Sequence, residues 1–196
     1  MKGSLIIIAF FALGIVVGLQ SSTFNFQFST FILYALMFCV GISIGSDTNT
    51  LKSFRSVNPR LMMLPVMTIF GTLAGTAAAS ALLPHRHLFD CLAIGSGFGY
   101  YSLSSIFITE YKGAELGTIA LLANIMREII TLLCAPLLVK FFGKLAPISM
   151  GGATTMDTTL PIITRTSGQD FIIVSIFHGF CVDFSVPFLV TFFCSL

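Results

Sequence analysis

Seven runs in this chain are apolar enough to enter a lipid bilayer: 4–20, 29–45, 61–83, 91–109, 116–142, 146–163 and 171–193. A helix crosses the hydrocarbon with about 20 residues, and about 17 suffice. Little sequence remains between the runs, and the longest polar stretch covers only 46–60. Charged residues make up 9% of the 196 residues and apolar ones 56%. Soluble domains average about 25% charged residues. One core of this size has no room for so much apolar surface. A soluble enzyme, a nucleic-acid binder and a disordered linker are excluded on these grounds. The net charge of +2 also gives no basic field for nucleic acid. The expected fold is all-α: a polytopic inner-membrane transporter of about seven hydrophobic segments, forming a single transmembrane domain over residues 1–196.

The start of the chain has the charge and apolar run of a signal peptide. The small-x-small cleavage pattern is poorly matched by Gly18 to Ser22, so the first run is expected to stay as a membrane helix. Lys and Arg in short loops set orientation. With the N-terminus cytoplasmic and seven full crossings, Lys2, Lys52, Arg55, Arg60, Lys112 and Arg165 lie inside. Arg86, Lys140 and Lys144 then lie outside, as does the C-terminus. If the fourth and sixth segments were both re-entrant, the two ends would keep these sides. Cys39, Cys91, Cys134, Cys181 and Cys194 form no C-x-x-C pair and read as free thiols. Neither a metal nor a cofactor is expected.

Charge inside a bilayer costs about 2.5–3.5 kcal/mol at a helix centre, so buried charges mark function. In the fifth segment Asn124, Arg127, Glu128 and Thr131 fall at helical spacing and form one polar face. This face turns to the bundle interior, either as an Arg127 ion pair locking helices or as part of a substrate path. The sixth segment is interrupted by Gly151, Gly152 and Pro161, with Thr154, Thr155, Thr158 and Thr159 able to satisfy freed backbone groups. Asp157 lies within that break. An acid beside unwound intramembrane backbone can bind a cation or carry a proton; the alternative is an Asp that caps a half-helix. Breaks are expected around 95–105 and 150–161. The first follows from Gly95, Gly97 and Gly99, with Tyr100, Tyr101, Ser102, Ser104 and Ser105 supplying hydroxyls. Close packing through small residues explains the same glycines, and the series Gly71, Gly75, Ala79 suggests such packing in the third segment. Glu110 reads as interfacial. His178 is either a proton relay or a hydrogen-bonded packing residue. It lies about 140° around the helix from Asp183 and shares no face with it.

Several of these stretches together resemble the bacterial lysine exporter family of LysO type. They are GSGFGYYSLS at 95–104, ITE at 108–110, NIMREI at 124–129, GGATTMDTTLP at 151–161, HGF at 178–180 and FCVGIS at 38–43. The resemblance covers nearly the whole chain. It implies export of L-lysine and toxic lysine analogues, driven by the proton gradient, with Asp157 at the position of an important intramembrane aspartate. Asp183 is not part of the family pattern. Typical members are about half as long again and carry roughly three further N-terminal helices. The resemblance thus implies a partner: either a short membrane protein supplying those helices or a second copy of this chain.

The expected substrate and proton site comprises Asp157, Glu128, Arg127, Asn124, Gly151, Gly152, Thr154, Tyr101, Ser102 and His178. The expected partners are L-lysine, protons and the lipid bilayer. A carrier for another cationic amino acid and a non-transporting membrane subunit are the alternatives. An intramembrane serine protease using Ser102 and His178 is disfavoured, because Leu103 stands where a Gly-x-Ser-Gly loop needs glycine and no H-E-x-x-H is present. No repeated, ring-forming filter suggests a channel.

Overall fold

A computed structural model describes residues 59–83 and 86–196, together with the isolated positions Leu13, Phe38 and Ile42. The chain divides into two compact units, Met1–Leu51 and Lys52–Leu196. In the first unit the three described residues are helical and exposed. Apart from Leu13, Phe38 and Ile42, the expected first two membrane segments and the FCVGIS stretch, with Cys39, lie outside the described residues, as does His85.

The second unit is helical throughout its described length. Its elements are α1 (Pro59–Met62), α2 (Leu64–Ser80), α3 (Leu88–Gly95), α4 (Tyr101–Lys112), α5 (Ala114–Phe142), α6 (Ala146–Gly151), α7 (Leu160–Ser167) and α8 (Ile172–Cys194). A 3-10 turn, Gly152–Met156, separates α6 from α7, and a second, Gln169–Phe171, leads into α8. Among the described residues three stretches are long and apolar enough to cross a membrane: Arg60–Ser80, Ala114–Phe142 and Gln169–Cys194. Their outer faces are apolar and exposed. On α5 these include Leu122, Met126, Leu133, Leu137 and Phe141. Phe184, Phe188 and Phe192 form a stripe at four-residue spacing on α8. So large an exposed apolar surface is what lipid covers.

The fourth and sixth segments do not run straight through the unit. Each turns back at its break. At the outer end of the fourth, Lys112 Nζ at the end of α4 lies 3.5 Å from Asp90 Oδ1 at the start of α3. Arg86, before α3, is paired with Glu115, in the first turn of α5. Glu115's hydrogen bond and charge hold the Arg86 guanidinium above its already high ordinary value. At the outer end of the sixth, the Ser167 hydroxyl donates to the Lys144 carbonyl at 2.8 Å. Thus α3 and α4 form one hairpin, and α6 and α7 form a second. The second is seated on a cluster of Ile148, Ile163 and Val174, packed by Leu61 and Leu64 from the start of the α2 stretch and Phe171 from the start of α8. The first hairpin opens where α5 begins, and the second opens where α5 ends. Their tips therefore point at each other.

Candidate functional site

The tips meet through backbone. In the first, Gly99 has φ +94° and Phe98 is itself left-handed at φ +45°. The Phe98 carbonyl is thereby freed from its own helix, and it accepts the N–H of Ala153 at 2.9 Å. Gly152 must be glycine for this contact. Its φ is +63°, and a Cβ there would overlap the Phe98 carbonyl oxygen. Exposed backbone groups inside a membrane are tolerated only where protein or a cavity satisfies them. Here each tip supplies part of the other's pairing.

Two side chains of α5 fix the tips. Asn124 is buried and uses both ends of its amide. Its Oδ1 accepts from the Gly99 N–H at 2.8 Å, and its Nδ2 donates to the Ala120 and Ile94 carbonyls at 2.9 and 3.2 Å. Arg127 reaches the other hairpin. Its Nε donates to the Met150 carbonyl at 2.8 Å and its Nη2 to the Ser149 carbonyl at 3.1 Å, with Thr72 Oγ1 at 3.3 and 3.4 Å. Its guanidinium also lies 5.9 Å from the centre of the Phe98 ring. The ion-pair alternative for Arg127 is not realised: among the described residues its partners are carbonyls, a hydroxyl and a ring, and no carboxylate pairs with it. Thr131 is buried and donates to the Arg127 carbonyl, while Glu128 is half-buried.

The second tip is stitched by hydroxyls. Thr154 Oγ1 donates to the Gly151 carbonyl at 2.9 Å and lies 3.3 Å from Thr159 Oγ1. Gly151 is packed against Thr155 and Thr159, where a Cβ would come within 2.6 Å of Thr155 Cγ2. Asp157 ends the turn and is exposed. Its Oδ1 accepts the Thr158 N–H at 2.5 Å and the Thr158 hydroxyl at 3.3 Å. It does not cap the following half-helix, since the N-cap of α7 is Thr159 and makes no side-chain cap bond. The remaining oxygen of Asp157 accepts no hydrogen bond from a described residue.

His178 is fully buried on α8, with Nε2 2.9 Å from Thr68 Oγ1 and Nδ1 3.3 Å from Thr155 Oγ1. Thr68 in turn donates to the Ser149 hydroxyl at 3.1 Å. This chain of hydroxyls ties α2, the second hairpin and α8 together. It also leaves no contact between His178 and Ser102, which is exposed on α4. Tyr101, at the first residue of α4, is half-buried. The structure thus gathers Asn124, Arg127, Gly151, Gly152 and Thr154 at the tips, and sets Tyr101, Ser102 and Glu128 apart from that bond network. A cleft of about 370 Å³ opens beside the network, lined by Thr72, Gly75, Thr76, Ala79, Ile94, Gly95, Ala123, Asn124 and Arg127. Gly75 and Ala79 of α2 line this cleft, and no atom of another described element lies within 4 Å of where a Cβ would sit at Gly71 or Gly75. The close approach of α2 is instead to α3, where a Cβ at Gly95 would overlap the Thr76 hydroxyl. Asp183, outside the expected site, is buried in the middle of α8. Among the described residues no cluster of three metal-ligating side chains occurs.

Comparison with known proteins decides the family. The sequence profile of the lysine exporter LysO family matches residues 7–194. The chain belongs to the LysO family. The chain is 35% identical over 184 residues to the lysine exporter LysO of Escherichia coli K12, covering 92% of this chain but 60% of that protein. It is 34% identical over 165 residues to a putative lysine exporter of Haemophilus influenzae, covering 84% of this chain and 83% of that protein. No solved structure matches. LysO proteins are transporters and not enzymes, and family and apolar helices together make this chain a multi-pass protein of the inner membrane.

Proposed function

We propose that this chain exports L-lysine and toxic lysine analogues from the bacterial cytoplasm, exchanging them for protons at Asp157. The observation behind this reading is the meeting of two broken hairpin tips beside an exposed carboxylate. Such breaks offer backbone donors and acceptors to a polar solute at a depth where a continuous helix offers none. The names of the Escherichia coli and Haemophilus influenzae relatives supply lysine as the substrate.

In this mechanism a lysine ammonium group meets Asp157, while the substrate carboxylate sits in the cleft at the Arg127 edge. Arg127 has five N–H donors, and its Met150, Ser149 and Thr72 contacts leave donor capacity there. Protonation of Asp157 from the outer side cancels its charge and releases the cation. Inward proton movement is favoured by about 2.3 kcal/mol per charge per 100 mV of membrane potential. At least one proton per lysine keeps the exchange from moving net positive charge outward. Asn124, Gly151, Gly152 and Thr154 hold the two tips in register, and Tyr101, Ser102 and Glu128 line the approach. His178 anchors the second tip, and a proton-relay role for it would run through Thr155.

Residues 1–196 act as one transmembrane domain in this reading. Five of the seven apolar segments cross, and the fourth and sixth enter and return. The N-terminus is cytoplasmic and the C-terminus outside. The hairpins improve the charge bias: Lys2, Lys52, Arg55, Arg60, Lys140, Lys144 and Arg165 fall inside, against Arg86 and Lys112 outside. The working unit is this chain with a short membrane protein, or a homo-oligomer.

The test is labelled-lysine efflux from cells lacking their own exporters. It compares the chain alone, the chain with a short membrane protein encoded beside it, and each with Asp157→Asn. Efflux abolished by Asp157→Asn supports the proposal. Equal efflux from wild type and Asp157→Asn contradicts the role of Asp157. No lysine efflux in any arm, with the proteins shown to be in the membrane, overturns lysine export and leaves the subunit reading.

A further inference from the structure

We propose that Asp183 supplies a second carboxylate facing Asp157 across the tip of the second hairpin, and that the two, with the Tyr100 hydroxyl, form a site for a primary ammonium group. This rests on reading the chain as a carrier of cationic amino acids.

Asp183 lies near the middle of a 23-residue apolar helix and is 8% exposed. Among the described residues no donor or cation pairs with its carboxylate. An acid in that position is costly, and such residues mark ion or substrate paths. The face of α8 that carries it is pressed onto the hairpin tip. Gly179, one turn earlier on that face, would place a Cβ 2.8 Å from the Met156 nitrogen and 2.8 Å from Thr155 Oγ1. Asp157 follows Met156 directly. The backbone bond between the tips, from the Ala153 N–H to the Phe98 carbonyl, brings Tyr100, at the entry to α4, to the same end of the two hairpins.

Beside the Tyr100 hydroxyl, a neutral acceptor, two carboxylates held at the same hairpin tip repel when the space between them is empty. A single positive charge between them reverses this. A primary ammonium group carries three N–H donors, one for each of these acceptors. The tips meet at the depth of the α8 midpoint, which places the site between the two ends of the bundle, where a carrier must hold its cargo while access changes sides.

The test is calorimetric titration of the full chain in lipid nanodiscs, in sodium-free buffer, with cadaverine, lysine and norleucine. Cadaverine keeps two ammonium groups and lacks a carboxylate; norleucine lacks the terminal ammonium. Wild type is expected to bind cadaverine and lysine more tightly than norleucine. Asp183→Asn is expected to weaken cadaverine at least tenfold with the melting temperature retained, Asp183→Glu to recover part of the loss, and Tyr100→Phe to weaken it less. Unchanged cadaverine affinity in Asp183→Asn overturns the proposal, as does a wild type that binds no amine or binds only sodium when sodium is added. Asp183-dependent cadaverine binding without lysine binding leaves the ammonium site standing and counts against lysine export instead.

Discussion

Arg127 and Asn124 do different jobs with similar reach. Arg127 gathers the carbonyls of Ser149 and Met150, which end α6 and have no helical donor of their own. A guanidinium takes two carbonyls and a hydroxyl in one plane, whereas a lysine ammonium is a point charge with a different geometry. Hydrogen bonds to charged groups contribute about 1.5–3 kcal/mol. Arg127→Gln should therefore destabilise the protein by about 2 kcal/mol or more, and Arg127→Lys should recover only part of this. Denaturant unfolding in detergent micelles measures both, and equal stability of wild type and Arg127→Gln would count against the anchoring role. Asn124→Asp keeps the acceptor for the Gly99 N–H but loses the donors to Ala120 and Ile94, leaving a carboxylate against two carbonyls. It should destabilise more than Asn124→Gln, in the same assay. The polar stripe on α5 is legible from its spacing alone. Its partners on the hairpins are not, because they lie 22 to 30 residues away along the chain on segments whose fold-back no periodicity encodes. Asp183 is left out of the expected site because it is not part of the family pattern and lies about 140° around the helix from His178, an offset that separates the two only if α8 is packed on a single narrow side. Both are buried, because the helix is enclosed by α2, the second tip and the first hairpin over a broad arc.

The hairpin tips are where sequence and structure correspond most closely at the scale of elements. Alternating glycines at 95–99 and paired glycines at 151–152 are poor helix formers, and both breaks fall there. The backbone contact between them needs a missing side chain. In Gly152→Ala the new methyl would meet the Phe98 carbonyl from a left-handed backbone conformation, which alone costs an L-residue about 1–2 kcal/mol. The expected result is a loss of at least about 2 kcal/mol, or failure to accumulate in the membrane. Gly71→Ala is the contrasting change. It lies in the helical α2 with no described neighbour at the Cβ position, and alanine is the better helix former by about 1 kcal/mol. It should leave the melting temperature unchanged or raise it. Similar losses from both substitutions would contradict the account of the crossing.

For the molecule as a whole, apolar runs announce a membrane protein but do not distinguish a crossing from a hairpin, because lipid and protein interior select the same residues. The ion pairs at the open end of the first hairpin and the Ser167–Lys144 hydrogen bond at that of the second bear on that distinction. They predict that Arg86 and Lys112 lie on one side of the membrane and Lys144 and Arg165 on the other. Single cysteines at these four positions, in a background with the native cysteines replaced by serine, should label in those two pairs with a membrane-impermeant thiol reagent. Arg86 and Lys112 labelling from opposite sides would show that the fourth segment crosses.

The central claim is that lysine leaves in exchange for protons through Asp157. It is tested most directly in proteoliposomes loaded with labelled lysine and carrying an imposed pH gradient, with the chain reconstituted in the assembly that supports efflux in cells. The account predicts lysine efflux coupled to proton uptake into the vesicle, both lost in Asp157→Asn while the protein remains folded. Lysine efflux that ignores the pH gradient, or that survives Asp157→Asn, would contradict it.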